Sequence, residues 1–250
     1  AQMQYRASFL MLTAGQFLSN VLEFVGIWAL FDRFGRLEGW GLAEVAVFYG
    51  VVNCAYALCD ATSRGFDTFH LMVKTGDFDR LLLRPRSTVL QLAGQELTLR
   101  RAGRFAQGAI VLAWGLSTVA ASWTWAHAAL LALAVLAGAS LFYGIILLQA
   151  TLAFWTTESL EIMNTMSYGG VQTAQYPLSI YRDWFRRFFT FVVPLAAVSY
   201  YPTLALVGRA DPLGAPAWTG WVTPALGPAF CLLALRAWGW GVRHYRSTGS

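Results

Sequence analysis

The chain has 250 residues, of which 57% are hydrophobic and only 12% charged, with a net charge of +5 and a mean hydropathy of +0.49. A soluble domain of this length carries about a quarter charged residues to keep its surface wet, so the composition excludes an ordinary soluble enzyme and points to a bilayer protein. At about 20 apolar residues per helical crossing, roughly six crossings and their connections use the whole chain.

The first apolar run spans about 7–31 and carries one acidic residue, Glu23, near its middle. It is too long for a cleaved signal peptide, lacks a small-residue cleavage pattern and is followed by further spans. A carboxylate near the bilayer midplane is costly unless it faces the bundle interior. Glu23 therefore reads either as lining a path or subunit seam, or as a hydrogen-bonded packing residue. A polar turn over 32–40 follows, with Trp40 placed as an interfacial anchor. The second span is about 43–62. The longest hydrophilic stretch, 63–104, leads to a third span at about 105–121, and a short turn joins that to a fourth at about 127–155. The last run, about 219–242, ends in Arg243-His244-Tyr245-Arg246.

Between 156 and 218 two segments compete to be the fifth crossing, and both cannot cross. Segment 157–176 is moderately polar. Its Glu158 and Glu161, three apart on one helix face, either receive arginines from the inner loop or mark a solvated helix end. Segment 188–207 is more apolar but is interrupted by Pro194 and Pro202.

Charge sets the orientation. Of the 18 basic residues, eight lie in 63–104: Arg64, Lys74, Arg80, Arg84, Arg86, Arg100, Arg101 and Arg104. They face only Asp67, Asp77, Asp79 and Glu96, so the positive-inside bias makes 63–104 cytoplasmic. Six crossings then put both termini, with Arg6, Arg243 and Arg246, on the cytoplasmic side as well. The basic excess reports orientation rather than a nucleic-acid partner.

Chemical motifs are absent. Lys74, the only lysine, follows Val73 rather than the glycine of a phosphate-binding loop, and no HExxH, CxxC or GxSxG occurs. Cys54, Cys59 and Cys231 all lie inside apolar runs and read as packing residues. His70, His127 and His244 sit at separate places along the chain and read as wet interfacial side chains. No metal and no cofactor is expected on this chain, and energy must come from an ion gradient or from another protein.

Within 63–104 lies Gly76-Asp77-Phe78-Asp79-Arg80-Leu81-Leu82-Leu83-Arg84-Pro85. This reads as a short amphipathic element along the inner membrane face. Phe78, Leu81, Leu82 and Leu83 would dip into the headgroup boundary, with Asp77, Asp79, Arg80 and Arg84 facing water or a protein. Gly76 and Pro85 bracket it, and Pro85 stops an ordinary helical continuation.

That segment resembles the inner loop of type-2 ABC exporter permeases, in particular a bacterial subfamily of similar length. Arg64-Gly65-Phe66, Gly39-Trp40, Pro177 to Tyr181 with Trp184 and Pro194, Tyr200-Tyr201-Pro202 and the terminal Arg243 to Ser250 fall in the matching order along essentially the whole chain. The resemblance implies an all-α, six-span permease of the bacterial plasma membrane that works with a second permease, identical or related. Two ATP-binding subunits, carrying the ATP and Mg, would dock beneath. Gly76, Asp77, Phe78, Asp79, Arg80, Arg84 and Pro85 would form the coupling helix that fits a groove of the ATPase. It also favours 157–176 as the fifth crossing and makes 177–218 an outer, partly re-entrant segment. An amphipathic elbow helix is expected before the first span, where only six residues stand. The rival readings are a gradient-driven secondary transporter and a membrane-embedded lipid-modifying enzyme.

Overall fold

The computed structural model describes residues 6–95, 102–119, 123–156 and 169–245. Helix α1 is Arg6–Phe34 and α2 is Leu42–Asp60. Four short helices follow: α3 (Arg64–Asp67), α4 (Phe69–Thr75), α5 (Phe78–Leu82) and α6 (Thr88–Ala93). Then come α7 (Ala102–Thr118), α8 (Trp125–Leu152) and a helical stretch over 169–174 (α9). Beyond a 3-10 turn at Leu178–Ile180 lie α10 (Asp183–Arg187), a π-turn at Phe188–Val192, α11 (Leu195–Val198) and α12 (Tyr200–Val207). Finally α13 (Thr219–Val222) runs through a 3-10 turn into α14 (Leu226–His244). Among the described residues there is no β-strand, only an isolated bridge between Leu37 and Trp40 that closes the α1–α2 turn.

Four stretches are long and apolar enough to cross a bilayer: Met11–Phe34, Leu42–Asp60, Trp125–Leu152 and Thr219–His244. Helix α7, at 17 residues, measures about 26 Å against a hydrocarbon core of about 30 Å. Of the expected fifth crossing at 157–176, residues 157–168 lie outside the described residues, and with them Glu158 and Glu161.

Helix α2 is the axis of the bundle, 78% buried along its apolar window where α1 is 17% buried. It is flanked by α7 on one side and α8 on the other. The α7 contact is built on glycine. The buried positions of α7 (Gly103, Arg104, Gln107, Gly108, Val111, Leu112, Gly115) recur every three to four residues, which makes one stripe. A Cβ on Gly50 of α2 would lie 2.5 Å from Leu112 Cβ and 2.7 Å from its Cα. Such small-residue seams let helices approach closely where lipid supplies no hydrophobic drive. On the far side, Gly227 of α14 abuts the Ala137 carbonyl of α8, and a Cβ on Gly144 of α8 would lie 2.9 Å from the Phe230 ring.

Contacts define two ends. At one end Trp40 is fully buried. Its Nε1 donates to Ser179 Oγ at 3.0 Å, and the Arg209 guanidinium lies 3.9 Å over its ring. Arg209 in turn donates to both Glu44 oxygens at 2.9 and 3.0 Å, and Glu44 also accepts the Gly41 N–H at 2.8 Å. Trp40 is thus a clamp inside the protein and not the lipid-facing anchor that its place after a span suggested. The clamp has a topological consequence. Ser179 and Arg209 touch the same indole, so the chain from 180 to 208 leaves this end and returns to it. Its two arms, Asp183–Val192 and Leu195–Val207, bend by 72° at their junction, where Pro194 breaks the hydrogen-bond ladder. Segment 188–207 is therefore not a straight span.

Helix α1 starts and α14 ends at the opposite end, together with α3 to α6. Arg104 also belongs to the bundle and not to the loop: it is buried, its Nε donates to Asn53 Oδ1 at 3.0 Å and its guanidinium lies 4.7 Å over the Tyr56 ring.

Gly50→Val places two methyl groups where Leu112 already stands. It should destabilise the protein by about 1–3 kcal/mol, read as a lower unfolding midpoint in detergent, whereas the same change at Gly239, which has open space around its Cα, should be far milder.

Candidate functional site

Helices α3 to α6 have only four to seven residues each, too few to persist alone. They hold their shape because they are pinned to the ends of α8 and α14. Phe69 and Phe78 meet edge to face at 5.0 Å between ring centroids. Phe69 lies 5.2 Å from Phe154 beyond α8 and 4.8 Å from Trp238 of α14. Phe78 lies 5.6 Å from Phe154 and 5.0 Å from Tyr245. Phe69 and Phe78 are fully buried. A hydrogen bond adds direction, with Trp238 Nε1 donating to Thr88 Oγ1 at the start of α6 at 2.9 Å.

The polar parts of the segment are set by local geometry. Gly76 ends α4 with φ +77, a left-handed turn that favours glycine. Thr75 Oγ1 donates to Asp77 Oδ2 at 2.8 Å, and Asp77 pairs with Arg80 at 3.5 Å across exposed side chains. After α5 the chain turns through Pro85. The Gln91 amide closes this turn by donating to the Leu81 and Arg86 carbonyls, both at 3.0 Å.

The outcome differs from the amphipathic expectation. Phe78 and Leu81 do not dip into headgroups, because both are buried in the protein against the ring cluster. What the segment presents is Arg80, Leu82, Leu83, Arg84, Pro85 and Arg86, all exposed, with Leu83 at 86% and Leu90 of α6 at 71%. Asp79 is half-buried. A cleft of about 470 Å³ lies beside this ridge, lined by Leu81, Arg84, Arg86, Leu90 and Gln91 among others. The surface is apolar at its tip, basic at its flanks and rigidly backed, which suits it to dock into a partner's groove and to pass force to α8 and α14. Sequence reasoning picked the ridge and missed its backing. Trp238, Phe154, Thr88 and Gln91 lie in no local motif, and Tyr245 stands out only as part of the terminal run Arg243 to Ser250.

Of the other candidates, Glu23 is half-buried and its Oε1 accepts from Gln172 Nε2 at 2.8 Å. This ties α1 to α9 on an exposed side of the bundle. Glu158 and Glu161 lie outside the described residues.

A family model described as ABC-2 family transporter protein matches residues 17–249. No curated protein and no solved structure matches the chain.

Trp238→Phe keeps a ring in the cluster but removes the bond to Thr88 and part of the buried ring volume. It should cost about 2–4 kcal/mol and raise amide exchange in 78–93 selectively. Phe78→Ala empties the cluster and should cost about 3–5 kcal/mol, with proteolytic cleavage appearing over 80–87.

Proposed function

The chain belongs to the ABC-2 transporter family and is a multi-pass membrane permease component of an ABC transporter; we propose that it is the permease of an ATP-driven exporter in a bacterial plasma membrane. In this reading two ATP-binding subunits, which hold the ATP and Mg, sit beneath the end that carries α3 to α6. A second permease, identical or related, completes the translocation path. The observation that carries the proposal is the ridge from Arg80 to Arg86, exposed at its tip and fixed to α8 and α14 by the Phe69–Phe78–Trp238 cluster. Closure of the ATPases would load that ridge and bias a bundle with two arrangements. Arg80, Leu83, Arg84 and Pro85 would enter the ATPase groove. Gly76, Asp77 and Asp79 would shape the segment, and Phe78 would transmit from beneath rather than touch the partner.

Positive charge supports a cytoplasmic position for this end: Lys74, Arg80, Arg84, Arg86 and Arg243 all lie there, and basic loops stay inside. The Glu23–Gln172 pair on the sparsely covered α1 side is where the seam with the second permease, and the path, would run.

Two measurements test the reading. A cysteine at Ser87 should be shielded from an impermeant maleimide in intact cells and labelled in inverted vesicles; labelling from outside overturns the orientation. Arg80→Glu with Arg84→Glu should leave the permease inserted and folded, since both side chains are exposed. It should weaken capture of the ATPase by about 2 kcal/mol or more and abolish transport-linked ATP hydrolysis. Wild-type assembly and hydrolysis in that variant would remove the ridge from the coupling mechanism.

A further inference from the structure

The excursion from 180 to 208 opens with an element of two unlike faces. One face packs inward: Phe185 lies 5.0 Å from Tyr181 and 4.7 Å from Phe189, which is buried. The other carries Trp184, Arg187 and Phe191, spaced three and four residues apart and so aligned along the helical stretch. Trp184 is 68% exposed, Phe191 81% and the adjoining Val192 61%, and Arg182 and Arg187 are exposed too. Asp183 binds Arg186 at 2.8 Å, just as Glu44 binds Arg209 at this end. Among the described residues no carboxylate pairs with Arg182 or Arg187.

Large exposed aromatics beside unpaired arginines are unfavourable against water alone, and they match the boundary where acyl chains meet charged headgroups. The level of that boundary is marked independently. Trp125, Trp218 and Trp221, all exposed, stand at this same end of the bundle as an aromatic belt. We propose that Arg182 and Arg187, with Trp184 and Phe191, form a site for the headgroup of an anionic phospholipid. The guanidinium groups bind the phosphate through charge-assisted hydrogen bonds, and the rings pack on glycerol and upper acyl carbons. The bound lipid supplies the negative charge that lets Arg182 and Arg187 reside at the end opposite the basic loop. It also covers the bend at Pro194. The inference rests on the membrane assignment and is independent of the exporter reading.

The test uses the full chain reconstituted in nanodiscs of equal phosphatidylglycerol and phosphatidylcholine, with retained lipid counted by native mass spectrometry. Wild type should retain phosphatidylglycerol selectively. Arg182→Gln with Arg187→Gln should lower that retention roughly 25-fold, at about fivefold per arginine near an anionic surface. Replacing both by lysine should restore most of it. Equal retention of the two lipids by the wild type, or unchanged selectivity in the glutamine variant, overturns the proposal. Loss of phosphatidylglycerol to millimolar glycerol phosphate also overturns it, since the site then takes a soluble anion. So does quantitative cross-linking of a cysteine at 187 to a second permease copy, since the face is then a protein seam.

Discussion

Everything at the ridge end depends on one cluster of rings. Phe69, Phe78, Phe154, Trp238 and Tyr245 bring together side chains from three separate parts of the chain, with centroid separations of 4.8 to 5.9 Å for most pairs. Edge-to-face pairs at such distances add about 0.5–1.5 kcal/mol each beyond the area they bury. This compensates for helices that are individually too short to hold. The cluster also decides which motions are available. A ridge on a loose loop would absorb a push by bending, whereas one keyed into α8 and α14 hands the displacement on to two long helices.

The opposite end solves a different problem with a single indole. Trp40 meets Phe48 at 5.5 Å and Tyr200 at 6.4 Å between ring centroids, and to these it adds a hydrogen bond to Ser179 and a guanidinium on its face. Those two contacts gather the α1–α2 turn, the start of the excursion and its return. Arg209 is held by Glu44 through two short bonds, and its flat cation also covers the ring, so charge pairing and aromatic contact reinforce one another. Loss of either would loosen the return limb, which Tyr200 still holds by stacking on Phe48, without touching the α2–α7 seam.

The long helices were legible because an uncharged apolar run of about 20 residues matches the length a helix needs to cross a bilayer. The ridge was legible because Gly76 and Pro85 bracket a charged stretch between spans. Much else was not. Phe78 and Leu81 looked like lipid-dipping residues because local pattern cannot distinguish burial in a bilayer from burial in protein, and Phe78's partners lie as far away as Trp238 and Tyr245. Trp40 looked like an anchor for the same reason. Arg104 was counted with the loop charges, yet it folds into the bundle because Asn53 and Tyr56, on the preceding long helix, supply an acceptor and a ring face. In each case the missing information was a tertiary partner, not a local preference.

The glycine seams set where the bundle is stiff and where it can part. Gly227 against the Ala137 carbonyl and Gly144 against Phe230 lock α14 to α8, and Gly50, Gly108 and Gly115 lock α7 to α2. Close backbone contact of this kind resists sliding, because any shift drives a side chain into the space a missing Cβ leaves. Gly138 of α8, where a Cβ would lie 2.8 Å from Ala55 Cβ of α2, joins the two pairs, so α7, α2, α8 and α14 form one stiff body that bears the ridge. Helix α1 is held more sparsely, 17% buried along its apolar window. It has one such glycine contact, Gly103, whose Cβ position lies 2.5 Å from the Thr13 carbonyl, and otherwise meets the rest through Phe24 against Tyr49, the Tyr49 hydroxyl donating to the Asn20 carbonyl and the Glu23–Gln172 bond. A displacement entering at the ridge thus reaches α1 last, across its weakest attachments, and α1 is the helix whose surface is most open to a neighbour. The part of the chain best placed to separate from its own fold is also the part that bears Glu23, the carboxylate that lies near the middle of its apolar run.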